Sequence, residues 1–211
     1  MIDIFIGYDE REKIAYSKLC DSIISHSSSP VRITPLHLKN FKSFFTRKAE
    51  GSTAFSISRF LVPYLKQYQG WAIYMDCDML MLDDISNLWA LREAEYDVQV
   101  CQHDYIPSTQ NKFLGNDQKQ YDKKNWSSLM LFNCNKCTSL TLNYVYNAQG
   151  LDLHQFKWAD KVGKIPLEWN WLAGEYEFNS EIKNIHFTLG GPWFQDTTET
   201  LYDDYWNKWN L

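Results

Sequence analysis

Residues 71–82, WAIYMDCDMLML, decide the fold of this chain. The apolar run Trp71–Met75 predicts a buried strand, and a second apolar run, Met79–Leu82, follows two carboxylates. Residues two apart in an extended segment point the same way, so Asp76 and Asp78 can converge on one point. Buried acids are costly unless they are paired, and hard divalent cations take carboxylate oxygens. The stretch therefore predicts a cation site at the end of a buried strand.

Other interpretations of these two acids stay open at this point. The carboxylates could face water at a strand end, or cap a helix that begins near Asp83 and Asp84. Two enzyme classes also use such a strand. Haloacid-dehalogenase-like phosphatases follow their Asp-x-Asp-x with Thr or Val, where this chain has Leu80. Metal-dependent glycosyltransferases use Asp-x-Asp to hold a cation on the diphosphate of a sugar nucleotide.

Composition narrows the class of protein. With 211 residues, the default is one domain spanning 1–211. A net charge of −5 argues against a nucleic-acid partner. No apolar run is long enough to span a membrane, and the first residues show no signal peptide, so we expect a cytoplasmic location and leave peripheral membrane contact open. Aromatic residues make up 16% of the chain, which suits stacking on sugar rings.

The N-terminal third reads as strand, helix, strand. Apolar, β-branched residues predict strands at Ile2–Gly7 and Val31–Leu38, with a helix at Glu10–His26 between them. This order implies an α/β fold with a mainly parallel sheet. Open parallel sheets bind ligands outside the carboxyl ends of their strands, where Asp9 and Asp76 would both lie.

The rest of the chain continues the alternation of helices and strands. We predict helices at 55–68, 83–95, 138–147 and 151–159, and strands at 97–101 and 126–132. The polar stretch 105–125 is a long loop, and long loops in compact domains are often functional.

A histidine near the C-terminus gives the second signal. His186 ends an apolar run and precedes Thr188–Trp193, which contains the pair Gly190 and Gly191. A lone histidine after a strand is usually structural, but a glycine pair allows close backbone approach to a ligand. An imidazole would be a third ligand beside two carboxylates, and that mixture favours Mn²⁺ over Mg²⁺. We expect this site in a surface crevice rather than in the core.

Several motifs in order resemble those of glycosyltransferase family 8, which has the GT-A fold. The matching stretches are IFIGYDERE, FSISRFLVPYL, YMDCDML, KNWSSLMLFN, HQFKWADKVGKIPLEWNWL and HFTLGGPWF. The resemblance covers most of the chain. It implies a single GT-A-like domain and a hexosyltransferase-like enzyme that moves a sugar from a nucleotide-sugar donor, uridine-based, to a carbohydrate or glycoconjugate acceptor with retention of configuration.

The resemblance also implies roles for individual residues. The metal ligands for Mn²⁺ (or Mg²⁺) would be Asp76, Asp78 and His186. Contacts to the nucleotide sugar would come from Tyr8, Asp9, Arg59, Asp76, Ser127, Ser128, Gly190 and Gly191. Gln155 and Arg59 would be catalytic, with the arginine on the phosphate side. We also expect the acceptor to bind near 105–125 and Trp169–Trp171, although core packing is the commoner role of such tryptophans.

The chain departs from the family pattern in three places. The family often has Asn-Ala-Gly-Val at Trp126–Leu129, and a lysine that touches diphosphate at Gly191. It also has an Asp-Gln pair about where this chain has His154 and Gln155, so the acid is in doubt and Gln155 is the better match. Leaving-group stabilisation would then rest on the metal, Arg59 and backbone N–H groups. No carboxylate stands out as a nucleophile, which favours front-face attack over a covalent intermediate.

Rival functions differ in what they would require. A pyrophosphorylase would need a glycine-rich basic loop after the first strand, where this chain has the acidic Gly7–Glu10. A non-catalytic nucleotide- or sugar-binding module of the same fold would not need Asp76, Asp78 and His186 together, and it is the alternative that we carry forward.

Overall fold

Strands and short helices alternate along the chain. The computed structural model describes residues 1–47, 53–107, 121–195, 197 and 199–209. The strands in this part are β1 (Ile2–Gly7), β2 (Val31–Leu36), β3 (Trp71–Met75), β4 (Met79–Met81), β5 (Val98–Cys101), β6 (Leu129–Asn133), β7 (Val162–Ile165), β8 (Trp171–Leu172) and β9 (Asn184–His186). The helices are α1 (Lys13–His26), α2 (Val62–Leu65), α3 (Ile85–Ala90), α4 (Leu142–Asn147), α5 (Gly150–His154) and α6 (Asp203–Lys208).

A six-stranded sheet forms the centre of the fold. Its order is β2-β1-β3-β6-β5-β7. β6 is antiparallel to both of its neighbours, whereas the pairings of β1 with β2, of β1 with β3 and of β5 with β7 are parallel. Five strands thus run one way and one runs against them. The predicted α/β architecture, with a mainly parallel central sheet flanked by helices, is confirmed.

A second, three-stranded sheet has the order β4-β9-β8. β4 starts directly after the segment Asp76–Asp78, so the two acids lie where the chain leaves one sheet for the other. β9 pairs antiparallel with β4 and places His186 opposite Met79. This pairing returns the C-terminal part of the chain to the acidic segment.

The first βαβ unit follows from its sequence with one exception. All of β1 is buried, and α1 buries Ala15, Leu19 and Ile23. Ile14, which the helical spacing assigns to the same face, is exposed instead. β2 pairs only with β1 and so lies at the sheet edge, where Pro35 costs no interior ladder bond.

Other elements are shorter than predicted. The helix expected over 55–68 is a 3-10 turn at Ser58–Leu61 followed by the single turn α2. Pro63 lies in the first turn of α2, where its missing N–H is tolerated, and Gln67 with positive φ ends the segment. The helix expected over 83–95 covers only α3, which begins after the N-cap Asp84. The short strands β7 and β8 and the helix α6 were not predicted.

A glycine at the end of β1 supports the packing behind the acidic segment. A Cβ at Gly7 would lie 2.4 Å from the Phe55 ring and 2.8 Å from the Tyr74 hydroxyl. We therefore expect Gly7→Ala to lower the free energy of unfolding by about 1–3 kcal/mol, measured by urea denaturation, because these rings cannot move freely. Gly70→Ala is the comparison, since it meets no atom within 4 Å but has φ +68°. Gly70→Ala should lose only about 1–2 kcal/mol, which is what a left-handed backbone conformation costs a residue with a Cβ. A Gly7→Ala variant as stable as wild type would contradict the packing argument.

Candidate active site

Backbone hydrogen bonds hold the acidic segment from both sides. The Asp76 amide donates to the Ser128 carbonyl at 2.9 Å, and the Asp78 carbonyl accepts from the Phe187 amide at 2.9 Å. The first bond ties the segment to the start of β6, and the second ties it to the end of β9. The segment is thus held by parts of the chain that lie far from it in sequence.

The three predicted ligands converge. Asp76, Asp78 and His186 each offer a ligand atom, and these atoms all lie within 4.8 Å of one another. The His186 Nε2 is 3.4 Å from the Asp78 Oδ1. The three side chains thus lie together as predicted, but the expected surface crevice is wrong for His186, whose exposure is 2%. Asp76 and Asp78 are buried as well, with exposures of 9% and 5%.

A buried cation compensates the charge of Asp76. Arg59 NH1 lies 3.0 Å from Asp76 Oδ1 and donates to the Ser127 carbonyl at 2.9 Å. The guanidinium lies between the rings of Phe55 and Tyr74, at 5.5 and 5.1 Å from their centroids. The Tyr74 hydroxyl donates to the same Asp76 oxygen at 2.6 Å. These contacts fix one carboxylate oxygen of Asp76.

The structure thus shows Arg59 paired with Asp76 and bonded to the Ser127 carbonyl. Burial raises the pKa of Asp76, and the Arg59 guanidinium opposes that rise. A contact of Arg59 with phosphate, and its catalytic role, stay predictions. Tyr74 was missed in the sequence, although its position two residues before Asp76 on the same strand face could have indicated the contact.

An amide bridge lies behind His186. The Asn170 Oδ1 is 2.9 Å from His186 Nδ1, and its Nδ2 is 2.8 Å from the Ser128 hydroxyl and 3.0 Å from His103 Nε2. His103 Nδ1 in turn lies 2.8 Å from the Tyr176 hydroxyl. Burial, with His186 nearby, lowers the pKa of His103 to about 3, so this imidazole is neutral.

A fully buried glutamate lies beneath the acidic segment. Within the described residues Glu12 Oε1 has no hydrogen-bond partner, and Oε2 accepts from the Cys77 thiol at 3.6 Å. Burial, together with the charges of Asp78, Asp9 and Asp76, raises the pKa of Glu12 to about 9. The acid is therefore protonated at neutral pH. The sequence carried no signal for it, because an acid in a first helical turn is ordinarily solvated.

The predicted nucleoside residues lie at the end of β1. Asp9 accepts hydrogen bonds from the Arg11 amide and guanidinium and from the Ala54 amide. Burial acts to raise the pKa of Asp9, but the bonds from Arg11 hold it below its usual range. The Tyr8 ring packs edge-on against Tyr16 at 5.1 Å. Ligand contacts from Tyr8 and Asp9 stay predictions.

Two predicted sugar contacts flank the acidic segment. Ser127 Oγ is 2.7 Å from His154 Nδ1, and burial near Arg59 lowers the pKa of His154 to about 3. The Ser128 hydroxyl donates to the Asn125 carbonyl at 2.7 Å. Gln155 follows α5, and its backbone carbonyl accepts a hydrogen bond from the Lys123 ammonium group. The side chain that contacts Ser127 is thus that of His154. The catalytic role of Gln155 stays a prediction.

The glycine pair after β9 serves local packing. Gly190 has φ +98°, a conformation that favours glycine. A Cβ at Gly191 would lie 2.1 Å from the Trp193 ring, so no larger residue fits here unless that ring moves. Contacts of Gly190 and Gly191 with a nucleotide sugar stay predictions. The predicted loop 105–125 falls outside the described residues over 108–120.

Comparison with known proteins gives a family. No protein-family model matches the chain. Protein CDI of Arabidopsis thaliana is 41% identical to it over 216 residues, which cover 96% of this chain and 83% of that protein. The chain belongs to the Protein CDI family. That name states no activity.

Solved glycosyltransferases share the fold of this CDI-family chain. GlyE of Streptococcus pneumoniae TIGR4 superposes with a TM-score of 0.66 at 13% identity, covering all of this chain and 61% of GlyE. LgtC gives 0.62 at 12% identity, covering 98% of this chain and 94% of LgtC. The bifunctional WbbM superposes with a TM-score of 0.59 at 15% identity, covering 88% of this chain and 45% of WbbM. The chain thus has a GT-A-type glycosyltransferase fold and spans less than two thirds of GlyE and WbbM.

The helices of this CDI-family chain are short. In the part of the chain that the structure describes, none is both long and apolar enough to cross a membrane.

The protonated Glu12 makes a prediction for stability. Its pKa is raised on folding, so the folded state keeps a proton that the unfolded state releases above about pH 4.5, and stability falls as pH rises toward 9. Glu12→Gln removes this loss. We expect the free energy of unfolding of Glu12→Gln, relative to that of wild type, to grow by about 1.4 kcal/mol per pH unit from pH 6 to 8.5. Urea denaturation in the presence of chelator measures it.

Glu10→Gln is the matched control for this measurement, because Glu10 lies in the same turn but is exposed. Its stability profile should parallel that of wild type between pH 6 and 8.5. Parallel profiles for the Glu12 variant and wild type would show that Glu12 is ionised in the folded protein.

Proposed function

We propose that this protein is a metal-dependent glycosyltransferase that moves a sugar from a nucleotide-sugar donor, uridine-based, to a carbohydrate or glycoconjugate acceptor. The observation that carries the proposal is the convergence of Asp76, Asp78 and His186 where β3 and β9 end. The glycosyltransferase fold supports it, and so do motifs like those of family 8. LgtC, with the same fold, is described as a galactosyltransferase bound to donor and acceptor sugar analogues.

The chemistry of the three side chains fits a divalent cation. With a proton on His186 Nδ1 facing the Asn170 oxygen, the Nε2 lone pair faces Asp78 Oδ1 at 3.4 Å. Two acceptors at that distance repel unless a positive charge lies between them. Two carboxylates and one imidazole favour Mn²⁺, with Mg²⁺ as the alternative. When bound, the cation would supply Lewis-acid neutralisation of a diphosphate leaving group.

The surrounding residues would then orient and balance this site. Arg59 and Tyr74 hold one oxygen of Asp76, which leaves its other oxygen for a ligand. The protonated Glu12 keeps a further negative charge away from the cluster. Because Gly191 stands where a phosphate-binding lysine is common, backbone N–H groups near β9 would share the leaving-group contact.

We place the donor between the ends of β1 and β3. Tyr8 and Asp9 would contact the nucleoside, and Ser127 and Ser128 the donor sugar. The acceptor would bind beside Trp171, the partly exposed residue of the predicted segment Trp169–Trp171, because Trp169 and Asn170 are buried. Retention by front-face attack is part of this proposal, since no carboxylate stands out in the sequence as a nucleophile.

Metal-dependent nucleotide binding tests the proposal. By calorimetry, uridine diphosphate should bind wild type at least tenfold more tightly in Mn²⁺ than in chelator, because the diphosphate needs the cation as a bridge. Asp78→Asn should lose this gain. Asp83→Asn is the matched control, since that nearby carboxylate pairs with Lys183 instead, and it should keep the gain. Equal affinity with and without metal in wild type would refute the cation bridge.

The position of bond cleavage tests the chemistry. Without acceptor, the enzyme should slowly hydrolyse its preferred sugar nucleotide to free sugar and nucleoside diphosphate. Chromatography of the products measures this reaction. Asp78→Asn should abolish this release. Sugar phosphate and nucleoside monophosphate as products would mean cleavage on the other side and would rule out a transferase. Metal-dependent binding without any turnover, with or without a panel of sugar acceptors, would favour the non-catalytic module.

A further inference from the structure

The side chain of Asn170 lies at the centre of a buried polar network. It is fully buried at the end of a 3-10 turn, Leu167–Asn170, just before β8. Its amide reaches three buried side chains at 3.0 Å or less, namely His186, Ser128 and His103. An amide so placed must present its oxygen to one group and its NH₂ to the others.

The hydroxyl of Ser128 decides which way the amide points. Its proton goes to the Asn125 carbonyl at 2.7 Å, so Ser128 Oγ can only accept from Asn170. The Asn170 NH₂ therefore faces Ser128 and also donates to His103 Nε2. The remaining Asn170 atom, the carbonyl oxygen, faces His186 Nδ1.

The orientation of the amide sets the state of both imidazoles. His103 accepts at Nε2 and donates from Nδ1 to the Tyr176 hydroxyl, as a neutral ring can. His186 must carry its proton on Nδ1 to bond the Asn170 oxygen, which leaves the Nε2 lone pair toward Asp78. Outer partners of this kind fix the tautomer of metal-binding histidines and alter metal affinity by 10–100-fold.

We infer that Asn170 is a positioning residue: its amide, oriented by Ser128, locks His186 in the tautomer whose Nε2 faces the two carboxylates. The effect of Asn170 on cation binding rests on the proposed function. The tautomer itself is a property of the metal-free protein and can be read without any ligand.

Long-range ¹H–¹⁵N NMR of the metal-free protein at pH 8.5 tests the lock directly. The His186 signals are assigned by their loss in His186→Ala. We expect the Nδ1–H tautomer in wild type. In Asn170→Ala the proton should move to Nε2, where it can bond Asp78. In Asn170→Asp an oxygen still faces Nδ1, so the wild-type tautomer should return. An Nε2–H tautomer in wild type would overturn the inference.

Binding of Mn²⁺ alone, followed by electron paramagnetic resonance, tests the consequence. Asn170→Ala should weaken binding 10–100-fold, and Asn170→Asp should recover most of it. Asn184→Ala is the matched control, since that buried asparagine bonds the Trp169 carbonyl and lies two residues before His186. It should leave Mn²⁺ affinity and the tautomer unchanged, and equal losses in the Asn170 and Asn184 variants would contradict a specific role.

The two measurements separate the inference from the proposed function. If wild type binds no Mn²⁺ and shows the Nδ1–H tautomer, the cation site fails while the lock stands. If wild type binds Mn²⁺ and Asn170→Ala binds it equally well, the positioning role fails while the cation site stands.

Discussion

The site depends on one backbone pairing, that of β9 with β4. The two strands are three residues long, and their antiparallel register sets His186 opposite Met79, the residue that follows Asp78. More than a hundred positions separate these strands in the chain, so closing this loop carries an entropic cost that grows only slowly with its length. Buried apolar neighbours such as Leu80, Ile185 and Phe187 stabilise the closure.

A second constraint is the balance of charge under the acidic segment. Four carboxyl groups lie near one another: Asp9, Glu12, Asp76 and Asp78. Each is handled differently. Arg11 neutralises Asp9, Arg59 neutralises Asp76, and Glu12 keeps its proton. Asp78 faces the His186 imidazole, with its Oδ1 3.4 Å from Nε2. Buried acids in a binding cleft are commonly managed by such a mixture of ion pairing and protonation.

The polar network behind His186 extends the same arrangement through uncharged groups. Hydrogen bonds run from the His186 imidazole through Asn170 and His103 to Tyr176, and Ser128 joins this series at Asn170. Buried networks of this kind are stable only when every member finds a partner, and they hold side chains in one orientation. The network joins the 3-10 turn Leu167–Asn170, a second 3-10 turn at Trp126–Ser128 before β6, and His103 just after β5.

Much about this protein could be determined from the sequence alone. The βαβ start, the strand Trp71–Met75 and the acidic pair after it are local patterns, because alternation, burial and side-chain direction in a strand depend on neighbouring residues. These patterns, with the family 8-like motifs, predicted the fold class and the convergence of Asp76, Asp78 and His186. Only the tertiary structure decided that His186 is buried, that Arg59 binds Asp76, that Glu12 lies beneath the site and that Asn170 orients the imidazole. Those contacts join residues from different elements, and their burial and hydrogen-bond partners arise only when the elements pack together.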